Sequence, residues 1–156
     1  MPLTLSPEHA TARAAVSRLP ALEASLARLV KAVEAPSPST IVLYDHADPD
    51  DLTANAIVTL SLSDSAGTID EAEVELVLDT PMEAQVAGAD AQDGSVPLSA
   101  RFYGPTGTWE FDATVTITGG GGHIEMEQTG TDPQGDPEVR LYNGAFARIE
   151  TAKIGG

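Results

Sequence analysis

The sequence predicts a mainly β protein: an antiparallel β-sandwich or jelly-roll-like domain preceded by an N-terminal helical segment with coiled-coil spacing. Three observations predict it. The apolar period changes from about 3.5 to 2 near residue 39. The first 35 residues contain no glycine, whereas the rest is punctuated by Gly, Pro, Asn and Asp turns. The charge divides at the same place: residues 1–36 carry Arg13, Arg18, Arg28 and Lys31 against Glu8, Glu23 and Glu34, and residues 37–156 carry 4 bases against 21 acids. The arithmetic is 4 − 3 = +1 and 4 − 21 = −17, which sum to the formal charge of −16.

Helix comes first, over residues 1–35. Ser6 followed by Pro7 is a start signal, a hydroxyl for the free amides and a proline where a helix tolerates one. Pro20 predicts a kink or break near residues 17–19, with a second piece running to about Glu34. Leu19, Leu22, Leu26, Leu29 and Val33 are spaced 3, 4, 3, 4, with Ala12 and Ala15 extending the register backwards. A helix this short is marginal in water, so the stripe must be buried. Two burials are open: self-association of several copies, or packing on the chain's own β-domain. The Pro/Ser-rich residues 36–39 read as a short stiff linker.

The domain over residues 40–156 follows, with strands expected at 40–44, 54–63, 71–79, 96–103, 108–118, 123–129, 138–142 and 145–154. In 108–118 the apolar set Trp109, Phe111, Ala113, Val115 and Ile117 alternates with Glu110, Asp112 and three threonines, which places Trp109, Phe111, Val115 and Ile117 in the core. The four glycines at 119–122 read as a flexible hairpin, and Asn143-Gly144 as a tight one.

Function classes narrow by chemistry. The absence of Cys excludes a disulfide scaffold, a thiolate metal site and a cysteine nucleophile. The acidity speaks against nucleic acid, and no stretch is apolar enough to span a bilayer, so neither nucleic acid nor membrane is an expected partner. His9, His46 and His123 have no ligand spacing. Asp45, Asp48, Asp50 and Asp51 could meet a calcium ion but lack the glycine and terminal glutamate of a helix-loop-helix calcium loop, and a solvated turn explains them as well; the same holds for Asp132, Asp136 and Glu138. Glu110 with Asp112, and Glu125 with Glu127, share strand faces and read as solvated. No serine elbow or phosphate loop occurs, so no cofactor and no enzymatic activity are expected.

Four segments carry a family resemblance: Ile41-Val-Leu-Tyr44, Ser99-Ala-Arg-Phe-Tyr-Gly-Pro-Thr-Gly-Thr-Trp-Glu-Phe-Asp112, Thr116-Ile-Thr-Gly-Gly-Gly-Gly122 and Tyr142-Asn-Gly-Ala-Phe-Ala-Arg-Ile149. Over about residues 39–156 the chain resembles small virion proteins of tailed bacteriophages. The resemblance implies a non-enzymatic structural β-sandwich, made in the host cytoplasm and carried by the virion. Its expected role is capsid decoration, as a cement protein contacting the major capsid protein or other virion proteins, with a tail-fibre or baseplate component as the alternative. It also implies a homotrimer, because such proteins sit on threefold axes. From another class, a carbohydrate-binding module would need exposed aromatic rings, and the strand parity of Trp109, the single tryptophan, places it inside.

Overall fold

The computed structural model describes Thr4 and residues 6–155, without the side chains of residues 13–15. Helix α1 (Pro7–Leu29) begins as the sequence indicates, with the His9 amide donating to Ser6 Oγ at 3.2 Å and Pro7 in the first turn. It differs from expectation at Pro20, through which it runs as one helix. The amide that Pro20 lacks would have bonded the carbonyl of Val16, and both residues lie on the exposed side, where that carbonyl needs no protein partner. The helix also stops at Leu29, five residues short of Glu34. Val30 is extended, Ser39 Oγ donates to the Leu29 carbonyl at 2.6 Å, and the Lys31 amide donates to Asp64 at 2.9 Å, which together lead the chain away from the helix axis.

Eleven strands follow among the described residues: β1 (Thr40–Tyr44), β2 (Ala56–Ser61), β3 (Gly67–Asp70), β4 (Glu75–Leu78), β5 (Met82–Gln85), β6 (Ser99–Tyr103), β7 (Trp109–Ile117), β8 (Ile124–Met126), β9 (Gly130–Thr131), β10 (Pro137–Glu138) and β11 (Phe146–Gly155). The expected strand at 71–79 begins only at Glu75, after a turn, and β3 and β5 arise where no strand was expected. The expected strand at 138–142 reduces to the small β9/β10 hairpin and one bridge between Ser95 and Leu141.

Nine strands form one sheet in the order β2-β1-β6-β7-β8-β11-β4-β3, with β5 also paired to β11. The sheet curls. Beyond β5 the Gly88 amide donates to the Ile57 carbonyl at 2.9 Å, so the two ends of the sheet almost meet at β2. A Cβ at Gly88 would stand 2.0 Å from the Ala56 oxygen, an approach only glycine permits. Inside the curl lie Ile41, Leu43, Leu60, Phe102, Ile124 and Ile149, all fully buried. The protein is thus mainly β with an N-terminal helix, built on a curled mixed sheet.

The mixed character comes from the glycine run. Residues 119–122 do not close a hairpin; β7 and β8 pair in parallel, Val115 opposite Ile124 and Ile117 opposite Met126. Parallel neighbours ordinarily need a crossover of a dozen residues or more. Here the chain folds back flat over Thr116, with the Gly122 amide donating to Thr116 Oγ1 at 3.0 Å. A Cβ at Gly120 or Gly122 would lie 2.8 Å from Thr116 side-chain atoms, so only a bare backbone can make this return.

The helix packs by its second half. Leu22 and Leu29 are buried and Leu26 half-buried in the same core as the strands, against β3 and β4. This is the intrachain alternative: Leu22 and Leu29 are spent on the chain's own core, and Leu26 is partly covered by it. Leu19 is half-exposed at the margin of that contact. Val33, expected on the same stripe, lies beyond the helix and is fully exposed. From Pro7 to Arg18, by contrast, every side chain described is exposed, so this half of α1 projects as an arm of about 18 Å.

Candidate functional site

The outer face of β1, β6 and β7 holds a cluster of interacting polar and aromatic side chains. Alternation along β6 puts Phe102 inside and Arg101 and Tyr103 outside, and antiparallel register sets Val42 and Asp112 beside Arg101. Arg101 Nε and Nη2 donate to the two oxygens of Asp112 at 2.7 and 2.8 Å, and its Nη1 donates to Asp50 at 2.8 Å. Hydrogen bonds to these two carboxylates, Asp112 foremost, hold the guanidinium in its charged form more firmly than usual. Reciprocally, Arg101 keeps the Asp50 carboxyl below the ordinary range. Tyr44 lies at the edge of the cluster, where burial first and the Tyr103 hydroxyl second push its phenol upward.

Trp109 completes the cluster, and its position overturns the expected core assignment: it is 55 % exposed. The cause is a β-bulge. Phe102 pairs with Phe111, but Tyr103 pairs with Trp109, so Glu110 is an extra residue in β7 and the parity inverts there. Phe111 keeps the inner side, half-buried and stacked on Phe102 at a centroid distance of 4.5 Å. Val115 is buried and Ile117 half-buried, as alternation predicts below the bulge. Above it, the indole lies over the Arg101 guanidinium, 4.7 Å from ring centroid to Cζ, and its Nε1 donates to Asp112 Oδ1 at 3.1 Å.

The bulge residue itself is tied to the helix. Arg28 Nε and Nη2 donate to the Glu110 carboxylate at 2.9 and 2.8 Å, a bidentate pair at the end of α1. A Cβ on Gly104 would meet both this carboxylate and the Arg28 carbonyl, so the β6–β7 turn sits directly against the helix end. Glu110 and Asp112, read from spacing as one solvated pair, therefore serve different cations on different sides.

The remaining candidates are accounted for locally. Asp45 accepts from the amide and side chain of Asn55, Asp48 from the Asp50 amide, and Asp51 from Thr53. Thr53 holds the Asp51 carboxyl low, as the Asp93 and Gln92 amides hold that of Asp90. Asp132 accepts from Gln134 and Asp136, and Glu138 pairs with Arg140. Glu125 accepts from the Gly119 and Gly121 amides, holding the glycine return, while Glu127 is exposed. His46 takes the Asp48 amide, and His123 contacts Thr114. Among the described residues no group of three or more His, Asp or Glu is placed to hold a metal ion. An open cleft of about 630 Å³ lies between Gln92, Asp132, Arg140 and Tyr142, and Arg140 is committed there to Glu138 and the Asp93 carbonyl.

Sequence reasoning missed Arg101, Tyr103 and Tyr44. The signal was present for Arg101 and Tyr103, since both occupy the polar parity of an alternating strand whose apolar partner is Phe102. The bulge that adds Trp109 to them had no signal. No helix of the described residues is long and apolar enough to cross a membrane. Neither protein-family models nor curated proteins nor solved structures give a match to this chain.

Proposed function

We propose that the protein is a non-enzymatic structural component of a bacteriophage virion, a capsid decoration protein that acts in several copies through the projecting half of α1 and not through its leucine stripe. The observation that carries this reading is the arm: the side chains described between Pro7 and Arg18 are exposed to solvent, Val16 at 74 %, while the second half of the same helix is packed on the strands. An exposed arm of this length is justified when it is buried against something else. Its charge fits a multi-copy arrangement, because Arg13 and Arg18 belong to a segment of net +1 and the body they would meet on a neighbour carries −17. The curled sheet would be the sandwich-like body that the resemblance implies, displayed outward from the head and kept soluble by its acidity.

Two measurements test it. Light scattering on the full chain should give an oligomer, a trimer on the threefold-axis reading, that Val16→Asp or Arg18→Glu dissociates while the circular-dichroism spectrum stays that of the folded parent. Purified protein added to phage heads lacking it should bind at fixed stoichiometry and raise their thermal stability. A monomer that neither associates nor binds heads would overturn the proposal. Association with tail structures instead would move the protein to the fibre or baseplate.

A further inference from the structure

We infer that the Trp109 face is a binding platform for a neutral carbohydrate chain. The indole has Arg101 over one face and its Nε1 edge held by Asp112, yet the residue remains 55 % exposed, so a ring surface is offered to solvent and held still before any ligand arrives. Such a face carries the negative side of the ring quadrupole and accepts the polarised C–H groups of a pyranose ring. Holding it rigid removes an ordering cost that a free surface tryptophan would impose on binding.

The surroundings select the ligand class. A protein contact centred on a tryptophan draws its strength from a well-packed, fully desolvated pocket. Here most neighbours are polar: Tyr103 opposite in the register, Thr106 and Thr108 in the adjoining turn with their hydroxyls 3.2 Å apart, Asp112 beside the ring and Asp50 across Arg101, with Val42 beside Arg101 the apolar side chain that the register adds. The Asp50 side chain is 70 % exposed and offers a carboxylate to sugar hydroxyls. The guanidinium of Arg101 is engaged by two carboxylates on a side chain only 12 % exposed, so it is not presented to an anionic sugar, and a chain of net charge −16 repels one. A neutral glycan satisfies both the flat apolar face and the hydroxyl-rich rim. The bulge at Glu110 is the device that makes the site, since without the inserted residue the indole would point into the core.

Because Trp109 is the single tryptophan, the ligand is read by the fluorescence of its own platform. The full chain is titrated with β-1,4-glucose, α-1,4-glucose and N-acetylglucosamine hexasaccharides, with sulfated dextran and polylysine as contrasts. At least one neutral hexasaccharide should give a saturable change at millimolar concentration or below, and sulfated dextran none. By calorimetry Trp109→Ala should weaken that binding about tenfold or more, the loss expected for one stacking surface, while Trp109→Phe retains most of it. Asp50→Asn, at an exposed position that leaves the fold intact, should weaken it less. No response to any neutral sugar, binding that survives Trp109→Ala, or a response to polylysine alone would each overturn the inference, the last by making the face a contact for a basic protein.

Discussion

Replacing Leu29 by Ala tests whether the helix stripe belongs to the chain's own core. Leu29 is fully buried at the end of α1, its carbonyl bound by Ser39 Oγ and the neighbouring Arg28 paired to Glu110. Two tethers independent of the leucine side chain hold the helix end in place, so the site cannot readily collapse around a smaller side chain. Truncating a buried leucine costs about 2–5 kcal/mol, with the upper part of that range where the surroundings are held open. For a chain of this length each kcal/mol lowers Tm by about 2–4 °C, which gives a loss of about 4–20 °C. Thermal unfolding followed by circular dichroism should be run at two protein concentrations about tenfold apart. The gap between Leu29→Ala and the parent should be the same at both, because the lost contact lies within one chain; a gap that widened with concentration would place Leu29 between copies. Val33→Ala, at a fully exposed position, serves as the control and should change stability by less than about 0.5 kcal/mol. A Leu29→Ala variant as stable as the parent would refute the packing argument outright.

Three further outcomes follow from the geometry. Trp109→Ala should cost only about 1 kcal/mol in denaturant unfolding, the scale of one exposed cation–π contact and one hydrogen bond, and a loss of several kcal/mol would return the indole to the core. The folded-state pKa of Asp50 is depressed by Arg101, so its stabilising contribution is present above the unfolded value of about 4 and is lost as pH falls through the folded value. Acidification also relieves the repulsion within a chain of charge −16, so the comparison that isolates the pair is Asp50→Asn against the parent: the Tm difference should shrink below about pH 4, and a difference independent of pH would exclude the pair as its source. Gly88→Ala should destabilise by about 1–3 kcal/mol or more, because its Cβ would strike the Ala56 carbonyl where the sheet closes on β2; an unchanged Tm would mean that the two ends do not meet there.

What the sequence by itself determined is local. Ser6-Pro7 starts the helix, and the change of period near residue 39 separates helix from sheet. Alternation places Ile41, Leu43 and Phe102 inside the sheet and Arg101 outside it. These follow from the 3.6 and 2.0 residue repeats and from capping chemistry, which act within a few residues. What only the tertiary structure decided depends on groups far apart in the chain. The leucine stripe required burial but did not name its partner; β3 and β4 provide it, some 40 residues downstream of the helix. The glycine run announced a reversal, but its parallel outcome depends on Thr116 and Glu125 receiving the returning backbone. Trp109 shows the limit most sharply. Its strict alternation with Phe111 and Val115 put it in the core, and a single extra residue, Glu110, anchored 82 positions away to Arg28, turned it outward beside Arg101. A period of two carries no record of a bulge, because the bulge is stabilised by contacts that exist only once the helix and the sheet have come together.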